Sequence, residues 1–227
     1  MKYERVPSPI DQMPVPEHLT ARVVEPGAAP RLHGYDVQDD LARHYGLGEV
    51  VLLALTGELP DRAAGRAIDV LLVFAAPITI AEAPSHAAAL ARLCSAKPSS
   101  VAAVAAIGLA EQARFRLEAL APLLAWLASG RDGPPPEETE DAATARLHET
   151  LRSVGAAVSA RDAALPVGAA IVAGLFELGL REPWQIEAAL NCARWPIAIA
   201  EAMSNTPGAL GTYPIRLPEF ELVRRVE

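Results

Sequence analysis

The sequence predicts an all-α protein, and three observations favour that class. Apolar residues make up 51% of the 227 residues, which is enough for a substantial buried core. Alanine is abundant, whereas aromatic residues account for only 5%. β-Branched residues do not alternate with polar ones over any long stretch, so the pattern favours closely packed helices over sheets.

The first elements follow from prolines and capping residues. Residues 1–30 are rich in proline, which lacks an amide donor and restricts the residue before it, so an extended arm is expected there. A helix is predicted over 36–46, capped by the aspartate at its start. A second apolar helix is expected over 49–57 and a third over 61–76, which ends before a proline.

The second half of the chain predicts further helices separated by one strong loop. Their expected ranges are 85–96, from Ser99 or Ser100 to about 128 with a kink at Pro122, 137–158, 166–180 and 183–203. The glycine- and proline-rich segment 129–136 is the loop. Residues 31–204 are therefore predicted to form a single helical domain, followed by an extended tail over 205–227.

Charge and composition exclude several function classes. The net charge of -8 and the pI near 5.2 argue against a nucleic-acid surface, which needs clustered lysine and arginine. The apolar runs 70–81 and 163–176 are shorter than the roughly 20 residues that span a bilayer. The N-terminus has no apolar segment typical of a signal peptide. We therefore expect a cytoplasmic protein with neither a membrane nor a nucleic-acid partner.

The two cysteines, Cys94 and Cys192, lie in apolar helical stretches. They have neither metal-ligand spacing nor the density of a secreted disulfide scaffold. Buried free thiols in a reducing compartment are expected. Histidines with carboxylates or cysteines at metal-ligand spacing are also missing from the sequence, so no metal site is predicted.

Several motifs resemble the citrate synthase superfamily. The runs His33-Gly-Tyr-Asp36 and Asp40-Leu41 are followed by Glu49-Val-Val-Leu-Leu-Ala-Leu-Thr-Gly-Glu-Leu-Pro60, and Ala83-Pro-Ser-His-Ala87 precedes alanine-rich helices. Together they are most similar to short citryl-CoA lyases, over about 33–221. The resemblance implies a citrate synthase-like helical fold that forms a two-fold symmetric homodimer.

The same resemblance implies where two chains would meet. Alanine-rich helices of the family pack across the two-fold axis, and the segments 101–110 and 169–175 offer faces with little side-chain bulk. The family's tail reaches towards the partner subunit, and the segment 213–218 is expected to do so here.

The resemblance also implies a chemistry. Enzymes of this family make or break the bond between the acetyl group of a CoA thioester and a keto-acid carbon, using two histidines and an aspartate. Aligned on Ala91-Arg92, the place of the first histidine holds Glu82. Aligned on Pro84-Ser85, it holds Ile80. Neither alignment recovers a histidine.

The other two catalytic positions also differ from the family's pattern. Counting forward from Ile107-Gly108, the place of the second histidine holds Phe115. Counting back from Leu178-Gly179, the place of the aspartate falls on Val167-Gly168. The sequence therefore predicts that all three catalytic residues are replaced.

Three ionisable residues are candidates to substitute for them. Glu82 and Glu111 would share a proton if they met in one buried cleft, whereas solvated helix carboxylates are the alternative. His86 lies one helical turn after Glu82, so it is expected either to face the same cleft or to lie on the surface.

For ligands, the sequence predicts no tightly bound cofactor, because it has no glycine-rich phosphate loop. A CoA thioester of a di- or tricarboxylic acid is the substrate that the resemblance implies, and Arg92, Arg114 and Arg216 are positive side chains available for its nucleotide tail. Two functions are left open. One is a divergent citryl-CoA lyase or citrate synthase-like acyltransferase, and the other is a non-catalytic member that binds an acyl-CoA or carboxylate or braces another subunit.

Overall fold

The computed structural model describes residues 18, 20–132, 135–136, 141–156 and 165–208. Over these residues it has nine α-helices, one π-helical turn and one small three-stranded sheet, which confirms the all-α prediction. Of the expected arm over 1–30 and the expected tail over 205–227, residues 1–17, 19 and 209–227 lie outside the described residues.

Contacts divide the chain into two compact units, Met1–Tyr45 and Gly46–Glu227. This division falls inside the segment 31–204 that the sequence groups as one domain, and the predicted domain boundaries stay a prediction. In the first unit, the strands β1 (Val24–Glu25), β2 (Arg31–Leu32) and β3 (Tyr35–Asp36) form an antiparallel sheet in that order.

The turn between β2 and β3 has positive φ at His33 and Gly34. Asp36 then accepts hydrogen bonds from the N–H groups of Gln38 and Asp39 at 2.9 and 2.8 Å. This is the predicted capping role of Asp36, although the segment that it caps begins as a π-helical turn (Val37–Leu41) before α1 (Ala42–His44).

The second unit contains the remaining helices. They are α2 (Leu47–Thr56), α3 (Arg62–Ala75), α4 (Ala83–Leu93), α5 (Pro98–Ala119), α6 (Ala121–Ala128), α7 (Ala142–Ser153), α8 (Val167–Glu177) and α9 (Pro183–Met203). Asp61, where the third predicted helix starts, accepts hydrogen bonds from the Ala63 and Ala64 N–H groups and caps α3. The predicted long helix is divided at Leu120, because the missing amide and the ring of Pro122 interrupt the helical hydrogen bonds.

One group of helices encloses a core of large aliphatic side chains, which we call the aliphatic core. Members from α3, α6, α7 and α8 include Ile68, Leu71, Leu123, Leu147, Leu151 and Leu175. Every residue of α8 from Ala169 to Phe176 is buried within this one chain. The prediction that the segment 169–175 faces a partner chain is therefore wrong, since that segment has no exposed face left.

The helices α4, α5 and α9 enclose a second core of mostly small residues, which we call the alanine core. Its buried members are Ile78, Ala88, Ala89, Val101, Ala105, Leu109, Ala198 and Ala202. Small side chains let the helices approach closely: a Cβ added to Gly108 of α5 would lie 3.0 Å from the Cα of Pro84 in α4.

Both cysteines are free thiols, and both are exposed. Cys94 lies just past the end of α4, and Cys192 lies on the outer side of α9. The prediction of buried thiols is therefore wrong, because an apolar sequence neighbourhood does not fix which side of a helix a residue occupies. No helix in the described part of the chain is long and apolar enough to cross a membrane.

Candidate functional site

A polar cluster lies where the start of α4 meets α5 and α9, and we call it the Glu82 cluster. It consists of the side chains of Glu82, Gln112, Arg116 and Arg194. Glu82 is the N-cap residue of α4, but its carboxylate makes no capping hydrogen bond with that helix. The carboxylate is turned instead towards residues of α5 and α9.

Four donors hold the Glu82 carboxylate. One oxygen accepts from Arg194 Nη2 at 2.8 Å, from Gln112 Nε2 at 3.0 Å and from Arg116 Nη2 at 3.2 Å. The other oxygen accepts from the Thr79 N–H at 3.0 Å. Arg194 is the principal partner, because its bond is the shortest and its side chain is buried, whereas the Arg116 side chain is 47% exposed.

Arg194 is the buried centre of this cluster and is only 5% exposed. Its Nη2 also donates to the Pro77 carbonyl at 3.1 Å, and its Nη1 donates to the side-chain oxygen of Gln112. Its Nε is buried without a hydrogen-bond partner among the described residues. A buried guanidinium requires a counter-charge, and Glu82 supplies it.

The cluster fixes the charge state of Glu82. Partial burial alone would raise the pKa of its carboxyl, but hydrogen bonds from the Thr79 N–H and from Arg194, with the charge of Arg194 and the Gln112 amide, bring the pKa below its usual value. Burial and the neighbouring charge of Arg194 lower the pKa of Arg116, and Glu82 opposes that change. Glu82 is thus ionised at neutral pH and forms ion pairs with the guanidinium groups of Arg194 and Arg116.

The structure does not bring the other two catalytic candidates into this cluster. His86 is exposed on α4; its backbone N–H donates to the Glu82 carbonyl, and its imidazole makes no hydrogen bond or ion pair with the described residues. Glu111 is exposed on α5, where it accepts from Arg114 Nη2 at 2.8 Å. The catalytic roles of Glu82, His86 and Glu111 stay predictions.

The arginines predicted for a CoA tail occupy different environments. Arg92 is half-buried in the last turn of α4, and its Nε lacks a hydrogen-bond partner among the described residues. Arg114 is exposed, and its pKa is raised by the hydrogen bond to Glu111 and by the charges of Glu111 and Glu118. Arg216 lies outside the described residues.

Sequence reasoning missed Arg194 and Gln112 as members of the site. A signal for Arg194 was present: it lies four residues from both Leu190 and Ala198, which are buried on α9. A charged residue at the helical spacing of an apolar face indicates a buried partner. The identity of that partner does not follow from the sequence of α9.

A cavity lined by described residues lies away from this cluster. It has a volume of about 640 Å³ and lies at the α2–α3 and α8–α9 turns, with Thr56, Glu58, Arg181 and Gln185 among its lining residues. The described residues contain no group of three or more histidine, cysteine, aspartate or glutamate side chains placed to hold a metal ion.

The helical arrangement defines a citrate synthase-like fold. The structure is similar to that of citryl-CoA lyase from Hydrogenobacter thermophilus, with a TM-score of 0.63 and 20% identity over 90% of this chain and 97% of that one. It is also similar to ATP citrate lyase from Methanosaeta concilii, a D541A mutant in complex with (3S)-citryl-CoA, with a TM-score of 0.57 and 16% identity.

A further similar structure is ATP citrate lyase from Methanothrix soehngenii in complex with citrate and coenzyme A, with a TM-score of 0.54 and 15% identity. Both ATP citrate lyase comparisons cover 95% of this chain but only 44% of the other chain. No family model and no curated protein matches the sequence. At these identities the likeness establishes the fold, and the fold predicted from the sequence is confirmed.

Proposed function

We propose that this chain binds a di- or tricarboxylic acid or its CoA thioester, and that it does so without the carbon–carbon bond chemistry of citrate synthase-type enzymes. The ligand class is supported by the fold, since similar structures are described in complex with (3S)-citryl-CoA and with citrate and coenzyme A. The non-catalytic part of the proposal rests on the Glu82 cluster.

The observation that supports a non-catalytic role most directly is the set of four donors around the Glu82 carboxylate. A general base works best when its pKa lies near the operating pH, and these donors move the pKa of Glu82 in the opposite direction. Ionised Glu82 would also repel an enolate, because only a protonated carboxyl can donate a hydrogen bond to it. Glu82 is therefore suited to holding Arg194 and poorly suited to moving a proton.

The alternative is a divergent citryl-CoA lyase or citrate synthase-like enzyme that uses Glu82, His86 and Glu111. The observation in its favour is the exposed imidazole of His86, which makes no hydrogen bond with the described residues and lies one helical turn after Glu82. In that case the side chains of His86 and Glu82 would both contact the reacting group of a bound substrate.

Turnover distinguishes the two functions. The purified protein is incubated with citryl-CoA, and separately with acetyl-CoA plus oxaloacetate, while thioester consumption and free CoA are followed by mass spectrometry. We expect no turnover above a heat-killed control, together with binding of citrate or citryl-CoA in calorimetry. Turnover that disappears in Glu82→Gln or Glu111→Gln would establish the enzyme instead. If neither turnover nor calorimetric binding were detected, the role of bracing another subunit would be favoured.

We also propose that the chain forms a homodimer through the outer faces of α5 and α9. Ile107 and Phe115 on α5 are 67% and 69% exposed, and Trp195 and Ile197 on α9 are 42% and 43% exposed. The Trp195 indole donates to the Ala102 carbonyl at 3.3 Å, which places this aromatic side chain against α5. Large apolar side chains left exposed on both of these helices support an interface there.

Sedimentation velocity of Phe115→Ser tests the dimer. We expect the wild-type chain to sediment as a dimer and the variant to shift towards monomer at the same concentration. Val73→Ser is the matched control, because Val73 is 70% exposed on α3 and lies outside the proposed interface. A monomeric wild-type chain would exclude the dimer.

A further inference from the structure

The cavity at the α2–α3 and α8–α9 turns has the features of a small-molecule site. Its volume of about 640 Å³ is within the range of roughly 300–1,000 Å³ that is typical of such sites. Buried and half-buried side chains supply its apolar lining, among them Leu52, Leu59, Pro60, Ala67 and Leu178. The cavity is therefore large enough for an organic molecule and offers it an apolar surface.

Hydrogen bonds fix the two turns that line this cavity. The Gln185 side chain donates to the Leu55 carbonyl at 2.7 Å, which connects the start of α9 to the end of α2. In the α2–α3 turn, the Glu58 N–H donates to the Thr56 hydroxyl at 3.1 Å, and Asp61 caps α3. The cavity is thus formed before a ligand arrives, which lowers the entropic cost of binding.

Arg181, in the α8–α9 turn, supplies the positive charge of the cavity. Its guanidinium lies over the Phe176 ring, 4.2 Å from the ring centre, and forms no hydrogen bond or ion pair with the described residues. The carboxylate of α8 that lines the cavity, Glu177, forms an ion pair with Arg131 instead. Stacking on the ring restricts the guanidinium and leaves its N–H groups available for an anion, and a carboxylate has the matching geometry.

Glu58 and Asp61 supply negative charge from the α2–α3 turn. The Glu58 side chain is exposed and has no hydrogen-bond or ion-pair partner among the described residues. Asp61 uses its Oδ1 to cap α3, whereas its Oδ2 accepts no hydrogen bond from the described residues. Neither carboxylate pairs with Arg181, so the two turns bring separated charges of opposite sign to one cavity.

We propose that this cavity binds an elongated zwitterion, a small organic molecule with a carboxylate at one end, an ammonium group at the other and an apolar chain between them. Arg181 holds the carboxylate, Glu58 and Asp61 hold the ammonium group, and the chain contacts the apolar lining. The three charged side chains are exposed to solvent, which screens their interactions, so we expect millimolar affinity. The inference does not rest on the function proposed above, because it concerns other residues and a ligand that carries a positive charge.

A chemical-shift titration of the isotopically labelled chain tests the site, with ε-aminocaproate as the probe. Its isomer norleucine carries both charges at one end, caproate lacks the ammonium group, and hexylamine lacks the carboxylate. We expect ε-aminocaproate to shift the amide signals of Gly57 and Gly179, which lie in the two turns. The three other compounds should bind roughly fivefold more weakly, since each loses one of the two charge contacts.

Two variants each remove one charge from the cavity. Arg181→Gln should weaken ε-aminocaproate binding roughly tenfold, because charge-assisted hydrogen bonds to the carboxylate are lost, and Glu58→Gln should weaken it roughly threefold, because Asp61 remains. Arg62→Gln and Glu201→Gln are the matched controls. Both side chains are exposed and lie outside the lining of the cavity, so binding should be unchanged.

Several results would overturn the zwitterion site. They are the absence of any shift up to the solubility limit of ε-aminocaproate, shifts that are confined to residues outside the cavity, equal binding of norleucine, caproate or hexylamine, and binding that is unchanged in Arg181→Gln. A parallel titration with citrate, which has no positive group, separates this inference from the proposed function. Binding of ε-aminocaproate without citrate binding would support the zwitterion site and contradict the proposed ligand class, and citrate binding alone would do the reverse.

Discussion

The aliphatic core and the alanine core both pack helices together, but with side chains of different size. In the aliphatic core, large residues such as Leu71 and Leu175 fill the space between α3 and α8 completely. In the alanine core, small residues bring α4, α5 and α9 together, and the long side chain of Arg194 extends from α9 to Glu82 at the start of α4 and to Gln112 on α5.

The two cores therefore have different roles: the aliphatic core contributes mainly packing, and the helices around the alanine core carry the polar cluster. The aliphatic core is saturated within one chain, as the burial of every α8 residue from Ala169 to Phe176 shows. The helices around the alanine core carry the Glu82 cluster and the exposed side chains Phe115 and Trp195. The first region is therefore expected to respond to changes in volume, and the second to changes in charge.

The largest effect is expected from Leu71→Ala in the aliphatic core. Leu71 is fully buried, so the substitution should cost about 2–5 kcal/mol in the free energy of unfolding measured with urea. Val73→Ala is the control on the same helix; its side chain is exposed, and the change should stay within about 0.5 kcal/mol. Equal costs for the two variants would show that α3 is not packed as described.

A smaller effect is expected from Arg194→Met at the alanine core. The substitution removes the charge and leaves a shorter, unbranched side chain, and Glu82 retains the Thr79, Gln112 and Arg116 donors, so we expect a loss of about 1–3 kcal/mol in the free energy of unfolding at pH 7. Arg114→Met is the matched control. Arg114 is exposed, and its ion-pair partners among the described residues are the exposed Glu111 and Glu118, so the change should cost less than about 1 kcal/mol.

The pH dependence of the stability lost in Arg194→Met shows whether the ion pair with Glu82 or the packing of Arg194 is responsible for that loss. The folded-state pKa of Glu82 is below its ordinary value of 4.5, so its stabilisation is complete above that value and disappears as the pH falls through the lower folded-state pKa. The difference between wild type and Arg194→Met should therefore shrink in acid. A difference that is constant from neutral to strongly acidic pH would mean that packing, and not the ion pair, is what Arg194 contributes.

Two glycines compare the packing of the cores directly. A Cβ added at Gly174 would lie 2.8 Å from the Leu71 Cδ2 in the aliphatic core, and one added at Gly108 would lie 3.0 Å from the Pro84 Cα in the alanine core. We expect Gly174→Ala to cost about 1–2 kcal/mol, because the crowded side chain is itself fully packed. Gly108→Ala should also cost about 1–2 kcal/mol, since the Pro84 backbone cannot rotate away from the new Cβ and the helix propensity of alanine offsets only part of the strain.

Gly168→Ala is the control for both glycine variants. A Cβ at Gly168 of α8 meets no atom of the described residues within 4 Å, so this variant should gain up to about 1 kcal/mol from helix propensity alone. If Gly168→Ala were destabilised, the gain in helix propensity assumed for Gly174→Ala and Gly108→Ala would be wrong. Unfolding in urea measures all three on one scale.

The sequence predicted most of the fold because its helix boundaries depend on local rules. Asp36 acts as a cap where expected, α3 begins next to the predicted start at Asp61, and Pro122 interrupts the long helical segment. The strands of the first unit were missed because each is two residues long, too short for an alternating pattern. Motif spacing identified Glu82, but its principal partner Arg194 is 112 residues away, and such a contact depends on how α4 and α9 pack.

The smallest effect, and a pH response of the opposite sign, is expected at Asp69 on α3. Burial raises the pKa of Asp69, and the charge of Glu49 on α2 adds to that change. A raised folded-state pKa means that stability falls as the pH rises from the ordinary value of 3.8 through the folded-state value, so the ionised group is unfavourable at pH 7. Asp69→Asn should therefore stabilise the chain at neutral pH by up to about 0.5 kcal/mol, because Asp69 is largely exposed and solvent screens the repulsion.

Asp132→Asn is the control, since that exposed side chain makes no hydrogen bond or ion pair with the described residues. If the urea midpoint of Asp69→Asn rises at pH 7 and the gain disappears in acid, the carboxylate of α3 and that of Glu82 have opposite signs of pH dependence; a loss at pH 7 would show instead that the ionised form of Asp69 is favoured.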